Sequence, residues 1–491
     1  MHGPADDLEE IVEAAPGTRM GGRLPLYAPR VRVYPKRVAG SMRTLKWAAL
    51  VLLLAVYYMV PWLRWDRGAG APDQAILIDM PRRRAYFLGL EVWPQELYLL
   101  AGLLILAAIA LFFATSLWGR VWCGYACPQT VWTDLYMLVE RWIEGDRNAR
   151  MRLDRAPLGL SKAARKTAKH GVWLAIAALT GGAWIMYFND APTVLRALVM
   201  GEASTKVYFF FGLCTTTTYA LAGWAREQVC TFMCPWPRIQ SAMLDADSLV
   251  VTYQRWRGEP RGKHKHGESW LGRGDCVDCG QCVAVCPTGI DIRNGLQLEC
   301  IGCGLCVDAC NAVMDRVGRP RGLIRFDTEA NLGRRTRGET PRVRLARPRT
   351  VIYAALLVVV GASLVWAVLA RTTLELTVLA DRSPLYVTLS DGAIRNGYTV
   401  KVLNRNRTGR DVGLDLSGPD GAAVTVLGRE NADARAVALS VGADAVATYR
   451  VYVRAARPSL KGHSTPITFV ITDLSSGERV AVDTTFRGPG S

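Results

Sequence analysis

Eight of the chain's 13 cysteines fall between Cys276 and Cys310, and their spacing constrains the fold more than any other feature. Cys276, Cys279, Cys282 and Cys286, followed by Pro287, form Cys-x2-Cys-x2-Cys-x3-Cys-Pro. Cys300, Cys303, Cys306 and Cys310 repeat the spacing, with Asn311 where proline is expected. In a doubled run of this kind three close thiolates wrap one face of a [4Fe–4S] cubane, and the fourth reaches across to the other cluster. The spacing therefore assigns Cys276, Cys279, Cys282 and Cys310 to a first cluster. Cys300, Cys303, Cys306 and Cys286 go to a second. Gly280, Gly302 and Gly304 leave room for backbone folded closely around inorganic sulfide. Paired Cys-x2-Cys also suits zinc, but zinc needs four ligands and does not require two intact four-cysteine runs. The segment reads as a wire for electrons rather than a catalyst.

No cysteine lies beyond Cys310, so the pattern is one of thiolate ligands and not of a disulfide framework. Four more cysteines form a second repeat. Trp122-Cys123-Gly124-Tyr125-Ala126-Cys127-Pro128 and Val229-Cys230-Thr231-Phe232-Met233-Cys234-Pro235 each carry Cys-x3-Cys-Pro. Helical spacing would put Cys123 above Cys127 and Cys230 above Cys234. Pro128 and Pro235 restrict the residue before them and would end or kink the helix. Four thiolates meeting in this way suit a soft metal such as Cu(I), with Zn(II) or a further iron–sulfur cluster as competitors. Cys214 and Met233 could add sulfur. The plainer alternative is that these cysteines are small packing residues at helix ends. Spacing alone does not choose the metal. The histidines are isolated or lie in a charged loop and are assigned no role.

Half of the 491 residues are hydrophobic although 21 % are charged, a mixture expected of membrane spans joined to polar domains. Five stretches approach the ~20 apolar residues needed to cross a bilayer: 47–65, 96–118, 172–188, 207–224 and 351–370. The fourth is the most polar, because Cys214 and the run of threonines 215–218 interrupt it. The formal charge of +17 invites a nucleic-acid reading, but the basic residues cluster in loops flanking the apolar runs. The positive-inside rule accounts for that, and the interleaved aromatic and basic pattern of a nucleic-acid module is missing. Segments 1–46, 119–170 and 225–349 are rich in Lys and Arg, which places the amino terminus and the cysteine-rich segment in the cytoplasm and the carboxyl terminus outside. Arg82, Arg83 and Arg84 conflict with this, since they fall in a loop assigned to the outside. A long polar stretch precedes the first apolar run and no cleavage site follows it, so that run is expected to stay as an anchor.

Beyond residue 372 short β-branched or alternating runs are punctuated by Gly, Asn, Asp and Pro, which predicts an antiparallel, immunoglobulin-like β-sandwich. Strands are expected at 374–378, 386–389, 398–403, 412–416, 423–427, 448–453, 467–472 and 480–485. The organisation follows: a cytoplasmic segment 1–46, transmembrane helices with the paired motifs over 47–225, a ferredoxin-like α+β domain over 226–349, a fifth span over 350–371, and the sandwich over 372–491. No catalytic constellation is visible in the sandwich, which reads as a docking module.

Several strings carry a family resemblance: Tyr34-Pro35-Lys36-Arg37-Val38, Gly119-Arg120-Val121-Trp122-Cys123 running on to Thr130, Arg226-Glu227-Gln228-Val229-Cys230, Arg257-Gly258-Glu259-Pro260-Arg261 and Cys286-Pro287-Thr288-Gly289-Ile290-Asp291-Ile292-Arg293. In these the chain resembles the cytochrome c oxidase accessory proteins called CcoG, FixG or RdxA, from about Val33 to the end. Gln254 departs from the acidic residue the family more often carries there. The resemblance implies a bacterial inner-membrane protein that helps assemble cbb3-type oxidase by reducing Cu(II) to Cu(I), with the Cys-x3-Cys-Pro pairs as the copper site. It implies partners among oxidase subunits or copper chaperones and transporters, with lipid around the spans. An electron donor in the cytoplasm stays unnamed, as does any homo-oligomer. Two other readings compete: a general electron relay resembling the NapH and NosR membrane ferredoxins, and a structural scaffold for oxidase subunits.

Overall fold

The computed structural model describes residues 32–68, 70–264, 267–428, 436–460 and 462–489. Most of the expected amino-terminal segment, residues 1–31, lies outside them. The chain divides into two units, residues 1–62 with 110–353, and residues 63–109 with 354–491.

Three helices are long and apolar enough to cross a bilayer: Ser41–Trp62, Pro94–Trp118 and Pro348–Leu369. Their side chains are mostly exposed, with only 6 % of the most apolar window of Pro94–Trp118 and none of that of Pro348–Leu369 buried. Surfaces so apolar and so uncovered need lipid as their solvent. This is a membrane protein. The expectation of five spans is not met on the same terms. Stretch 172–188 is the distal part of helix Leu160–Met186, whose first turns carry Lys162, Arg165, Lys166 and Lys169. Stretch 207–224 is helix Thr205–Thr218 continued by a π-helical segment, Tyr219–Ala225, and its threonines keep its hydropathy low. These two helices pack on each other at small residues. A methyl added at Gly181 would stand 2.6 Å from the Thr215 hydroxyl, the kind of approach found where helices associate in membranes.

The cysteine-rich part of the first unit is a small α+β fold. Strand β4 (Val250–Tyr253) pairs antiparallel with β5 (Ile324–Asp327), and helices Gln281–Val285 and Leu305–Arg316 pack nearby. Its core joins Val251, Ile292, Met314, Leu323 and Ile324 to Cys282 and Cys300.

In the second unit a three-stranded sheet, β1 (Ile76–Asp79), β2 (Arg84–Phe87) and β3 (Leu90–Val92), was not expected from the sequence. It gives two of the three conflicting arginines partners. Arg82 pairs with Asp79 at 3.0 Å, while Arg84 pairs with Glu91 at 3.0 Å and with Asp444, its guanidinium over the Trp93 ring. The sandwich follows: β6 (Leu374–Ala380), β7 (Val387–Thr388), β8 (Ile394–Asn404), β9 (Arg410–Ser417), β10 (Ala423–Val426), β11 (Ala436–Val441), β12 (Ala445–Ala455), β13 (Ser464–Asp473) and β14 (Arg479–Arg487). One sheet runs β10-β12-β8-β6 with β7 on β8, the other β11-β9-β13-β14, and all pairs are antiparallel. Inward residues alternate along each strand, so Tyr398, Val400, Val402, Leu414, Val453 and Phe469 form one buried core. Each eight-strand expectation finds its strand. Strand β11 was missed because alanines at 436 and 438 give it no polar alternation.

Candidate iron–sulfur and thiolate centre

The two cysteine runs do not stay separate. Cys276, Cys279, Cys282 and Cys310 line one cavity of about 350 Å³ with Tyr253, Met314 and Ile324. Cys286, Cys300, Cys303 and Cys306 line a second, of about 360 Å³, whose wall Cys282 also reaches. The helix Leu305–Arg316 carries both Cys306 and Cys310, so one helix serves both cavities. Gly280, Gly302 and Gly304 all adopt positive φ, 62°, 67° and 72°, where the chain turns into or between these loops. Burial dominates the thiols. It pushes Cys300 and Cys310 up to about 12 and Cys282 to about 11, and raises Cys306 well above its ordinary value. Iron binding here must therefore release protons, as thiolate coordination does.

The residues fit a cubane. Each apolar cavity gathers the four sulfurs of one expected cluster, two complete sets where a single zinc ion would need one. Among the described residues no three His, Cys, Asp or Glu side chains converge tightly on a single ion. A buried cation stands beside the second cage. Arg120, 5 % exposed, donates to the carbonyls of Cys300 at 2.9 Å, Pro237 at 3.1 Å and Leu298, yet pairs with no carboxylate. The groups whose negative charge would act on it are Cys300 and Cys123, once deprotonated, and then Glu299. A net-negative iron–sulfur cluster held by these thiolates would supply the missing counter-charge.

The paired motifs depart from the expected α-helical turns. Trp122–Ala126 and Val229–Met233 are π-helical, closed by Cys127 N–H to Trp122 O at 2.8 Å and Cys234 N–H to Val229 O at 2.7 Å. Cys127 and Cys234 then turn extended, at ψ of 127° and 122°, as the following prolines require. Single π-turns of this sort concentrate at functional sites. The four cysteines come together: burial and then Cys127, with Cys230 and Cys234, raise the Cys123 thiol to about 12. Cys230 rises to about 12 through burial and then Cys127 and Cys234. Cys214 and Met233 do not join them. Cys214 is half-buried in helix Thr205–Thr218 and is not among the quartet's neighbours, and Met233 is 62 % exposed.

The quartet abuts the second cage. Cys123 lies in one buried cluster with Val285, Ile301, Cys303, Leu305 and Ala309. A Cβ on Gly124 would stand 3.0 Å from the Ile301 carbonyl and 3.2 Å from Cys303 Cα, so any larger residue would press on the backbone of the second cage. Tyr125 donates its hydroxyl to the Cys303 carbonyl at 3.0 Å, and the Cys123 thiol donates to Gln240 Oε1 at 3.0 Å. Gln240 comes from helix Trp236–Met243, just past the second motif, and so ties the two motifs together. Sequence reading missed Arg120, Tyr125 and Gln240. The signal available was their place beside the cysteines, without any spacing of their own.

Behind the second motif lies a buried ionic network. Glu140 pairs with Arg150 at 2.7 Å, Lys169 at 3.6 Å and Arg226, and Glu144 pairs with Lys166 and Lys169 at 3.0 Å each. Arg226 lies between the π-helical segments Tyr219–Ala225 and Val229–Met233 at φ 45°, and its Nε donates to the Gly223 carbonyl at 2.9 Å.

Residues 225–329 match the family described as "4Fe-4S dicluster domain", residues 100–145 "4Fe-4S binding domain", and residues 364–489 "IG-like fold at C-terminal of FixG". The chain is 48 % identical to "Nitrogen fixation protein FixG" of Rhizobium meliloti, over 96 % of this chain and 95 % of that protein. It is 48 % identical to "Protein RdxB" of Cereibacter sphaeroides, over 95 % and 98 %. "Protein RdxA" of the same organism is 47 % identical, over 92 % and 94 %.

Proposed function

Since this chain belongs to the FixG and RdxA family of iron–sulfur proteins, we propose that it carries electrons to its paired Cys-x3-Cys-Pro motifs and there reduces Cu(II) to Cu(I). The observation that carries the reading is the burial of Cys123 in one cluster with Cys303. Nothing but packed protein separates the thiolate quartet from the second cage.

Cys276, Cys279, Cys282 and Cys310 would hold the first cluster, and Cys286, Cys300, Cys303 and Cys306 the second. Each cluster, when bound, supplies a one-electron store. The chain's own residues do the rest. The apolar walls of both cages exclude water, and Arg120 and Tyr125 fix the backbone of the second cage against the first motif. At the quartet a copper ion, the substrate, gains one electron. Thiolates favour the soft Cu(I) product. In the same reading the cages face the cytoplasm, where an electron donor docks, and the sandwich faces the periplasm. Cu(I) passes to oxidase subunits or copper carriers for assembly of a cbb3-type oxidase.

One observation favours a second reading, an electron relay to a respiratory partner. The quartet does not close on a point tight enough for one ion. Serine at Cys123, Cys127, Cys230 and Cys234 together separates the two. The copper reading expects that variant to keep about eight irons per chain while losing copper binding and Cu(II) reduction. Cu(II) reduction at the wild-type rate would sink it.

A further inference from the structure

The second unit contains an open cleft of about 1160 Å³ that the electron path does not use. Trp65, Arg67, Trp93, Arg371, Arg405 and Arg407 are among its lining residues. The four arginines differ in what answers their charge. Arg371 grips Glu96 with two bonds, at 2.7 and 2.6 Å, and Arg405 pairs with Glu375 at 2.8 Å. Arg67 is only 5 % exposed and donates to four backbone carbonyls, those of Leu88, Pro72, Gln74 and Ala75, at 2.6–2.8 Å. Carbonyls satisfy its N–H groups but bring no negative charge. Arg407 makes no ion pair among the described residues, and its Nη1 lies 3.9 Å from the position of a Cβ on Gly68, next to Arg67. Buried Arg67 and exposed Arg407 thus lie close enough to repel each other, a local excess of positive charge that Glu91 and Asp73 only partly offset. The acidic lining is already engaged elsewhere, although Glu91 acts on both cations. Asp66 accepts the Gly68 N–H at 2.8 Å, and Glu91 pairs with Arg84 at 3.0 Å.

We propose that this cleft binds a phosphate ester, that of an anionic phospholipid headgroup. Guanidinium groups match phosphate oxygens in charge and in donor geometry. The rest of the lining selects lipid over a free ion. Val368 belongs to the last turn of the apolar helix Pro348–Leu369, and Trp93 directly precedes Pro94–Trp118. Trp65 is 45 % exposed and stands just past the end of Ser41–Trp62 in the chain. Tryptophan collects at the level of lipid headgroups, so the cleft opens where acyl chains and headgroups meet.

Native mass spectrometry of the full-length protein, delipidated in detergent, tests this. The probes are dioleoylphosphatidylglycerol, dioleoylphosphatidylcholine and inorganic phosphate, applied to wild type, Arg407→Gln and, as a control of equal charge, Arg479→Gln on the exposed edge of β14. Wild type and Arg479→Gln should retain phosphatidylglycerol, and Arg407→Gln should bind it about tenfold more weakly. Phosphatidylcholine, whose choline adds a cation, should bind less well than phosphatidylglycerol in all three. Equal retention by Arg407→Gln and Arg479→Gln would overturn the proposal. So would binding of inorganic phosphate without the lipid, which would make the cleft a soluble-anion site.

Discussion

The carboxylate of Asp308 accepts the backbone N–H of Arg43 at 2.8 Å and, with its other oxygen, that of Met42 at 3.2 Å. Asp308 sits on the helix between Cys306 and Cys310, while Arg43 lies in the first turn of the first membrane helix. The cluster fold thereby caps the start of a span whose own Gly40 offers no side chain for the task. Asp308→Ala should cost about 1–2 kcal/mol, the usual worth of such a cap. Thermal unfolding in detergent should show the loss, with iron content unchanged.

Gly124 is where the quartet's backbone meets the second cage. Gly124→Val should destabilise the protein by about 1–3 kcal/mol through overpacking, and it should slow Cu(II) reduction while both clusters remain. Stopped-flow kinetics beside iron analysis would separate the two effects.

Arg120 places a buried positive charge beside Cys300. Arg120→Gln should lower the potential of the second cluster by roughly tens of millivolts, since an electron is harder to add without that charge. Arg120→Lys keeps the charge and should move the potential less. EPR-monitored redox titration reads both.

Burial alone would push the Glu140 carboxyl up, but Arg226, Arg150 and Lys169 together hold it below its ordinary value. A depressed carboxylate contributes stability at pH values above the unfolded glutamate range, and that contribution fades as pH falls through the folded value. Glu140→Gln strands buried cations and should cost about 3 kcal/mol at pH 7. The gap to wild type should narrow in acid. Denaturation series at pH 7 and pH 4 would show it.

What the sequence disclosed follows from how local each signal is. Cysteine spacing is a statement about a few neighbouring residues, so the iron–sulfur character of 276–310 could be read directly. The alternation in β8 and β13 gave the sandwich for the same reason. The short strands β1 to β3, only three or four residues each, carry no pattern long enough to see. The two weaker stretches do not stand out by length and composition, because basic turns open Leu160–Met186 and threonines lower the hydropathy of Thr205–Thr218. The π-turns were hidden behind an i,i+4 spacing that α-helix also satisfies, although the prolines at 128 and 235 pointed to the break. Nothing local could have placed Gln240 against Cys123 or Asp308 against Arg43, because those pairings exist only once the chain has folded.

The most direct test of the account is a single turnover. Protein reduced anaerobically and freed of reductant is mixed with excess Cu(II), and cluster EPR is followed beside Cu(I) capture by a colorimetric chelator. The account expects both clusters to reoxidise in step with about two Cu(I) per chain, and the four-serine variant to hold its electrons. Clusters that reoxidise just as fast in the variant, or that stay reduced in the wild type, would contradict it.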